Sequence, residues 1–115
     1  MNIRLLKAHV ILVFTLLGIM FPVMARAVPG DVQTVWRLLD YVAVDYSGAV
    51  SNGQITSEAE YAEMTEFSAT ARLRIASLPK TGAQQALVGQ AVGLERAIAS
   101  KSSPETVAKN ARSLA

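Results

Sequence analysis

Breaking signals at Ser47-Gly48, Asn52-Gly53, Leu78-Pro79 and Ser103-Pro104 cut the sequence after Pro29 into short pieces. Most of those pieces carry apolar residues at three-to-four spacing, the mark of amphipathic helix. Such a chain reads as all-α: a small antiparallel bundle of three to four helices, with one short turn or mini-hairpin near Asn52-Gly53. The first helix is expected over about 31–45, with Asp31 as N-cap after Pro29-Gly30. Val32, Val35, Trp36, Leu39, Val42, Ala43 and Tyr46 form its buried stripe. Gly48 is the expected stop, in the left-handed conformation of a C-terminal cap. Val50 and Ile55 flank Asn52-Gly53 as β-branched residues flank a type I′ hairpin turn.

The second helix has the clearest start. Ser57-Glu58-Ala59-Glu60 is a capping box, in which the Ser57 hydroxyl accepts from the Glu60 amide and the Glu60 side chain reaches back. Tyr61, Met64, Phe67 or Ser68, Ala71, Ile75 and Leu78 give its apolar face, and Pro79 closes it. A third helix is expected over about 82–100 with Leu87, Ala91, Leu94 and Ile98 as its seam. Ser103 then caps a fourth with Pro104 at its first position and Val107, Ala111 and Leu114 inward. The pattern runs to Ala115 without a cap, as in a fragment or a truncated relative of a longer architecture.

The first 27 residues have a different physical character. Arg4 and Lys7 precede an apolar run over 10–23, and Ala25-Arg26-Ala27 is a small-x-small cleavage pattern. That run of 14 residues would be roughly 21 Å long as a helix, short of the roughly 30 Å hydrocarbon core of a bilayer. The expectation is a cleaved signal over 1–27, a single helical domain over 28–115, and export to the periplasm of a Gram-negative bacterium. A retained membrane anchor is the rival reading. Without the leader, eight basic side chains face nine acids and the net charge is −1, which removes the electrostatic basis for nucleic-acid binding. The one histidine, His9, lies in the leader and there is no cysteine. Thiolate or imidazole zinc sites, c-type haem attachment and Ser-His or Cys-His nucleophiles are therefore excluded. Of the 40 apolar residues in 28–115, 15 are alanine. The core must be thin, a setting in which self-association is a recurring solution. The spacing of Gly82, Gly89 and Gly93 is no phosphate loop, because no strand precedes it.

From Trp36 through Asp40-Tyr41, Asp45-Tyr46, Gly48-Ala49-Val50 and Asn52-Gly53 to Glu60-Tyr61-Ala62-Glu63-Met64, the order of aromatics, acids and turn residues is specific. It resembles the exported N-terminal region of bacterial iron permeases of the FTR1 type, including members fused to a cytochrome c segment. The resemblance is densest over 36–79. Those permeases conduct iron through membrane helices bearing Arg-Glu-x-x-Glu, and fused members carry haem on Cys-x-x-Cys-His; neither motif occurs here. The resemblance therefore implies a role beside iron uptake, with a membrane iron permease or a haem protein as partner, and not transport or electron transfer by this chain alone.

The candidate site is acidic. Glu60, Glu63 and Glu66 lie on successive turns of one helix, and Asp45 closes the preceding one. If those two helices form an antiparallel hairpin, Asp45, Glu60 and Glu63 converge as oxygen ligands for a hard cation such as iron, with Tyr41, Tyr46 and Tyr61 as phenolate candidates. The plainer explanation is that first-turn acids are favoured by the helix dipole, at roughly 0.3–1 kcal/mol each, and that the aromatics are core. No acid pair comes with a nucleophile or histidine, so the chain is not expected to be an enzyme. The expected function is a non-enzymatic helical module of iron uptake that binds or passes on iron or docks to the permease. The alternative is a purely structural or protein-interaction domain with no metal site.

Overall fold

The structure, a computed structural model, describes residues 29–115. The expected leader, with its apolar run and cleavage pattern, lies outside the described residues. Helix α1 spans Pro29–Ala49, α2 Glu58–Ala76, α3 Gly82–Ala99 and α4 Pro104–Leu114; strands β1 (Val50–Ser51) and β2 (Gln54–Ile55) stand between α1 and α2. Contacts at both ends establish the up-down-up-down arrangement. Arg74 near the end of α2 pairs with Asp31 at the start of α1 at 2.9 Å. Gln84 at the start of α3 donates its amide Nε2–H to the carbonyls of Ile75 and Ala76. At the opposite end the Tyr61 hydroxyl, from α2, donates to the Ile98 carbonyl of α3 at 3.0 Å. The Tyr46 hydroxyl, from α1, donates to the Ser102 carbonyl in the α3–α4 turn at 2.9 Å. This is a small all-α four-helix bundle with one hairpin, as the spacing predicts.

The hairpin has the expected chemistry: β1 and β2 pair antiparallel with Val50 opposite Ile55. Asn52 and Gly53 both have positive φ, 51° and 71°, the signature of a type I′ turn. The hairpin also changes how α1 ends. Helix α1 runs past 45 through Gly48 to Ala49, and Gly48 is helical rather than left-handed. The free carbonyls at the helix end are met by the returning chain instead. The Thr56 amide donates to Ala49 at 2.9 Å and the Thr56 hydroxyl donates to Gly48 at 3.0 Å, so no left-handed cap is needed. At the other end, α1 begins at Pro29, and Asp31 is a first-turn acid rather than the N-cap. There its carboxylate favours the helix dipole and holds Arg74.

The remaining caps follow the sequence. Ser57 and Ser103 accept from the amides three residues on, and Pro104 opens α4. The Ser57 box is half formed, however, because the Glu60 carboxylate lies against Gly48 of α1. Helix α3 ends in a Schellman motif: Ser102 donates to Ala97 at 2.9 Å and Lys101 to Ile98 at 3.0 Å, with Lys101 at φ 52°.

Leu39, Val42 and Tyr46 from α1, Met64 and Ile75 from α2, Leu94 and Ile98 from α3, and Val107 from α4 make the core, with alanines between them. Ser68, not Phe67, takes the buried position on α2, satisfied by donating its hydroxyl to the Thr65 carbonyl. The predicted α1 stripe is too wide: Val32 is 52% and Trp36 54% exposed. Helix α4 has 11 residues against 21 in α1. At about 1.5 Å of rise per residue it covers only the part of α1 nearer the hairpin.

A methyl group built on Gly48 would come within 2.5 Å of Glu60 Oε2. That obstacle is the end of an exposed, flexible side chain, which can swing away. Gly48→Ala is therefore expected to raise stability by about 0.5–1 kcal/mol through helix propensity and lost unfolded-state entropy. A melting temperature raised by about 3–6 °C is the expected result. A lower one means that the Glu60–Gly48 contact itself holds the α1–α2 corner.

Candidate functional site: an acidic half and an apolar cleft

The antiparallel topology gathers charges that the linear sequence spreads out. Asp40 and Asp45 lie in the second half of α1, Glu58, Glu60, Glu63 and Glu66 in the first half of α2, Glu95 late in α3 and Glu105 at the start of α4. All of these positions fall in the half of the bundle that bears the hairpin. The opposite half holds Arg37, Arg72, Arg74 and Lys80, with Asp31 as its single acid, and Arg112 lies near the midline at the end of the short α4. Arg96, Lys101 and Lys109 offset the acidic half, and Arg72 reaches across the midline to pair with Glu95 at 2.6 Å. The bundle is therefore electrically polarised along its length. Fields of this kind reach several kT at a protein surface and fall off within roughly 8–10 Å at physiological salt.

Helices α1 and α2 meet at the corner expected from the sequence, with the Glu60 carboxylate against Gly48 and the Ser57 amide 3.5 Å from the Ala49 carbonyl. Asp45, Glu60 and Glu63 are all exposed. Among the described residues, no group of three or more His, Cys, Asp or Glu side chains could hold a metal ion. Carboxylates with free hydration can attract a cation, but here they do not present it with a closed set of ligands. The tyrosines have other duties. Tyr41 packs on the Phe67 ring with centroids 5.9 Å apart. The Tyr46 and Tyr61 hydroxyls donate to backbone carbonyls of the α3 end and the turn after it. Burial, with the nearby Tyr61 as the smaller cause, pushes the Tyr46 pKa above its ordinary value, away from phenolate.

In the other half, beyond the point where α4 stops, lies an apolar cleft of about 170 Å³ along α1. Val32 and Trp36 of α1, Ile75 of α2, Leu78 in the turn after it, Leu87 of α3 and Leu114 of α4 line it. The sequence contains each of these residues in a helix stripe, so spacing alone assigns them to the core. Only the difference in helix length shows that part of the stripe is left open. Among the described residues, no helix is long and apolar enough to cross a membrane.

Comparison with curated proteins gives no match, and comparison with solved structures gives none. A family model, the iron permease-associated 4-helix bundle domain, matches residues 27–115. That span contains all four helices, both tyrosine anchors and both halves of the charge distribution. The chain belongs to the family of iron permease-associated 4-helix bundle domains.

Proposed function

We propose that this chain is a non-enzymatic periplasmic module of iron uptake whose acidic half gathers iron cations in rapid exchange beside a membrane permease. The observation that carries the reading is the concentration of carboxylates in the hairpin-bearing half, in a family defined by association with iron permeases. Asp45, Glu60 and Glu63 stand exposed at the centre of that half. A divalent or trivalent ion feels the same potential two or three times as strongly as a monovalent one, and carboxylate oxygens are the hard ligands it prefers. Open carboxylates release such an ion as readily as they attract it, which suits handing over rather than storage.

Anaerobic Fe(II), or Mn(II) as its paramagnetic stand-in, titrated against the amide NMR spectrum tests this. Broadening is expected first at Asp45 and over 58–66, with an affinity of about 0.1–1 mM or weaker that declines as salt is raised. Asp45→Asn/Glu60→Gln/Glu63→Gln should remove most of it. The triple variant retains the α2 cap, because Ser57 accepts from the Glu60 backbone amide. Broadening spread evenly over both halves, or indifferent to the triple variant, would sink the cation reading and leave a plain interaction bundle.

A further inference from the structure

We infer that Asn52 is a site of spontaneous covalent modification, at which the Gly53 amide nitrogen displaces ammonia from the Asn52 side chain and water then leaves a new carboxylate at the hairpin tip. Of the three asparagines in the sequence, only Asn52 precedes a glycine; the others precede Ile3 and Ala111. The nucleophile is the backbone nitrogen one residue on from the side-chain amide, so the ring it closes has five members and little room for a neighbouring side chain. Gly53 has no Cβ, and one built there would meet nothing within 4 Å. Asn52 and Gly53 are both exposed. Among the described residues the Gly53 amide donates to no backbone carbonyl, since the rungs of the hairpin are Val50–Ile55 and Ser51–Gln54.

The closed type I′ turn fixes both residues in left-handed backbone, and ring closure needs the Asn52 ψ angle free to swing the nitrogen towards the side chain. The tip must therefore open, and it can do so alone. The base of the hairpin is anchored: Val50 is fully buried, and Thr56 bonds to Ala49 and Gly48. The outer rung, Ser51–Gln54, is exposed on both strands, and a ribbon with two residues per strand has little stability of its own. Opening that rung leaves the bundle untouched and belongs to the low end of local stabilities. Base then removes the Gly53 amide proton and the nitrogen attacks Asn52 Cγ. The new C–N bond forms as the bond to NH2 breaks, and ammonia leaves. Water opens the resulting succinimide at either carbonyl, giving aspartate or isoaspartate. Either product brings one more negative charge to the acid-rich half of the bundle. Isoaspartate also lengthens the main chain by one carbon, which a two-residue turn cannot absorb without losing its register.

The purified chain is held at 37 °C at pH 6 and pH 8, beside a sample unfolded in guanidinium chloride, and followed by anion exchange and peptide mass mapping. A more acidic species is expected, formed faster at pH 8. Its mass gain of about 1 Da, NH2 exchanged for OH, should lie in the peptide that contains Asn52 and become about 3 Da in 18O-labelled water. Fragmentation of that peptide should show isoaspartate beside aspartate. The folded chain should react within about tenfold of the unfolded one, as an easily opened tip requires. Asn110, inside α4, should stay unchanged in the folded chain. Asn52→Ser should abolish the gain, with helical circular dichroism to confirm that the variant is folded. Three results overturn the proposal. Asn52 intact in the folded chain after the unfolded chain has converted means that the turn stays closed. Aspartate without isoaspartate means that water attacks directly, not the Gly53 nitrogen. An equal gain at Asn110 removes the selectivity. The cation titration reads carboxylates of α1 and α2, so either result can fail without the other.

Discussion

Tyr46→Ala is expected to cost about 4 kcal/mol, enough to leave the bundle largely unfolded at 37 °C. Tyr46 is fully buried, and replacing a large aromatic by alanine typically removes 3–5 kcal/mol through lost transfer energy and the cavity left behind. A domain of this size commonly has a total stability of about 5–10 kcal/mol. This core, filled out with alanine, has few large neighbours to close the hole. The hydroxyl adds a second, separable contribution: it donates 2.9 Å to the Ser102 carbonyl and ties α1 to the turn that launches α4. Tyr46→Phe retains the ring and should cost about 1–1.5 kcal/mol. The two variants differ in pH dependence as well. Burial raises the folded-state pKa of Tyr46 above its ordinary value of 10.0, so the folded state holds the phenolic proton more tightly than the unfolded chain does. That stabilisation is complete below pH about 10 and is lost as pH rises through the folded pKa. The native protein should therefore lose stability in alkali more steeply than Tyr46→Phe. Chemical denaturation of both proteins between pH 8 and pH 11 measures the difference, and parallel curves would show that Tyr46 does not govern alkaline unfolding.

Local chemistry made most of this fold legible. Ser57 and Ser103 accept from the amides three residues on, as a serine immediately ahead of a helical pattern predicts. Asn52-Gly53 makes its turn because these two residues tolerate left-handed backbone more readily than other types. Local rules fail where a distant segment does the work that they assign to a nearby residue. Gly48 looked like a helix stop, but Thr56, eight residues on, satisfies the Gly48 carbonyl and lets α1 continue. Asp31 looked like a cap, but its partner is Arg74, 43 residues away.

The site followed the same division. The sequence shows acids early and basic residues late in the second helix, and the structure lays α1 antiparallel to it, so that Asp40 and Asp45 join the acids of α2 and Arg37 faces its basic end. The convergence of Asp45, Glu60 and Glu63 depended on side-chain direction, which helical spacing fixes only within one helix. The cleft was hidden for another reason. Val32 and Trp36 keep step with Val35 and Leu39, and periodicity cannot say that the facing helix is too short to cover them. Stripe width is local information, and coverage is not.

Gln84→Glu should cost about 3 kcal/mol at pH 7, although the two side chains have nearly the same shape. Gln84 is a buried polar residue, and its Nε2 donates to the Ile75 and Ala76 carbonyls at 3.2 and 3.3 Å. It thus satisfies the last turn of α2 from the first turn of α3, across a connection in which Pro79 has no amide to contribute. A carboxylate there has no proton to donate and would face two carbonyl oxygens in a desolvated position. Both the lost bonds and the buried charge count against it. Taking up a proton relieves part of this, because a neutral carboxylic acid can donate to one of the carbonyls. The introduced group should therefore have a folded-state pKa above the ordinary glutamate value of about 4.3. The folded state then binds the proton more tightly than the unfolded chain, so stability is recovered below pH about 4 and lost as pH rises through the folded pKa. Gln84→Met, which retains volume but neither donates nor ionises, should cost about 1–2 kcal/mol with no such pH dependence. Urea denaturation of the three proteins at pH 4 and pH 7 tests the assignment. If Gln84→Glu lies within 1 kcal/mol of the native protein at pH 7, the α2–α3 junction is held by packing and the amide cap is incidental.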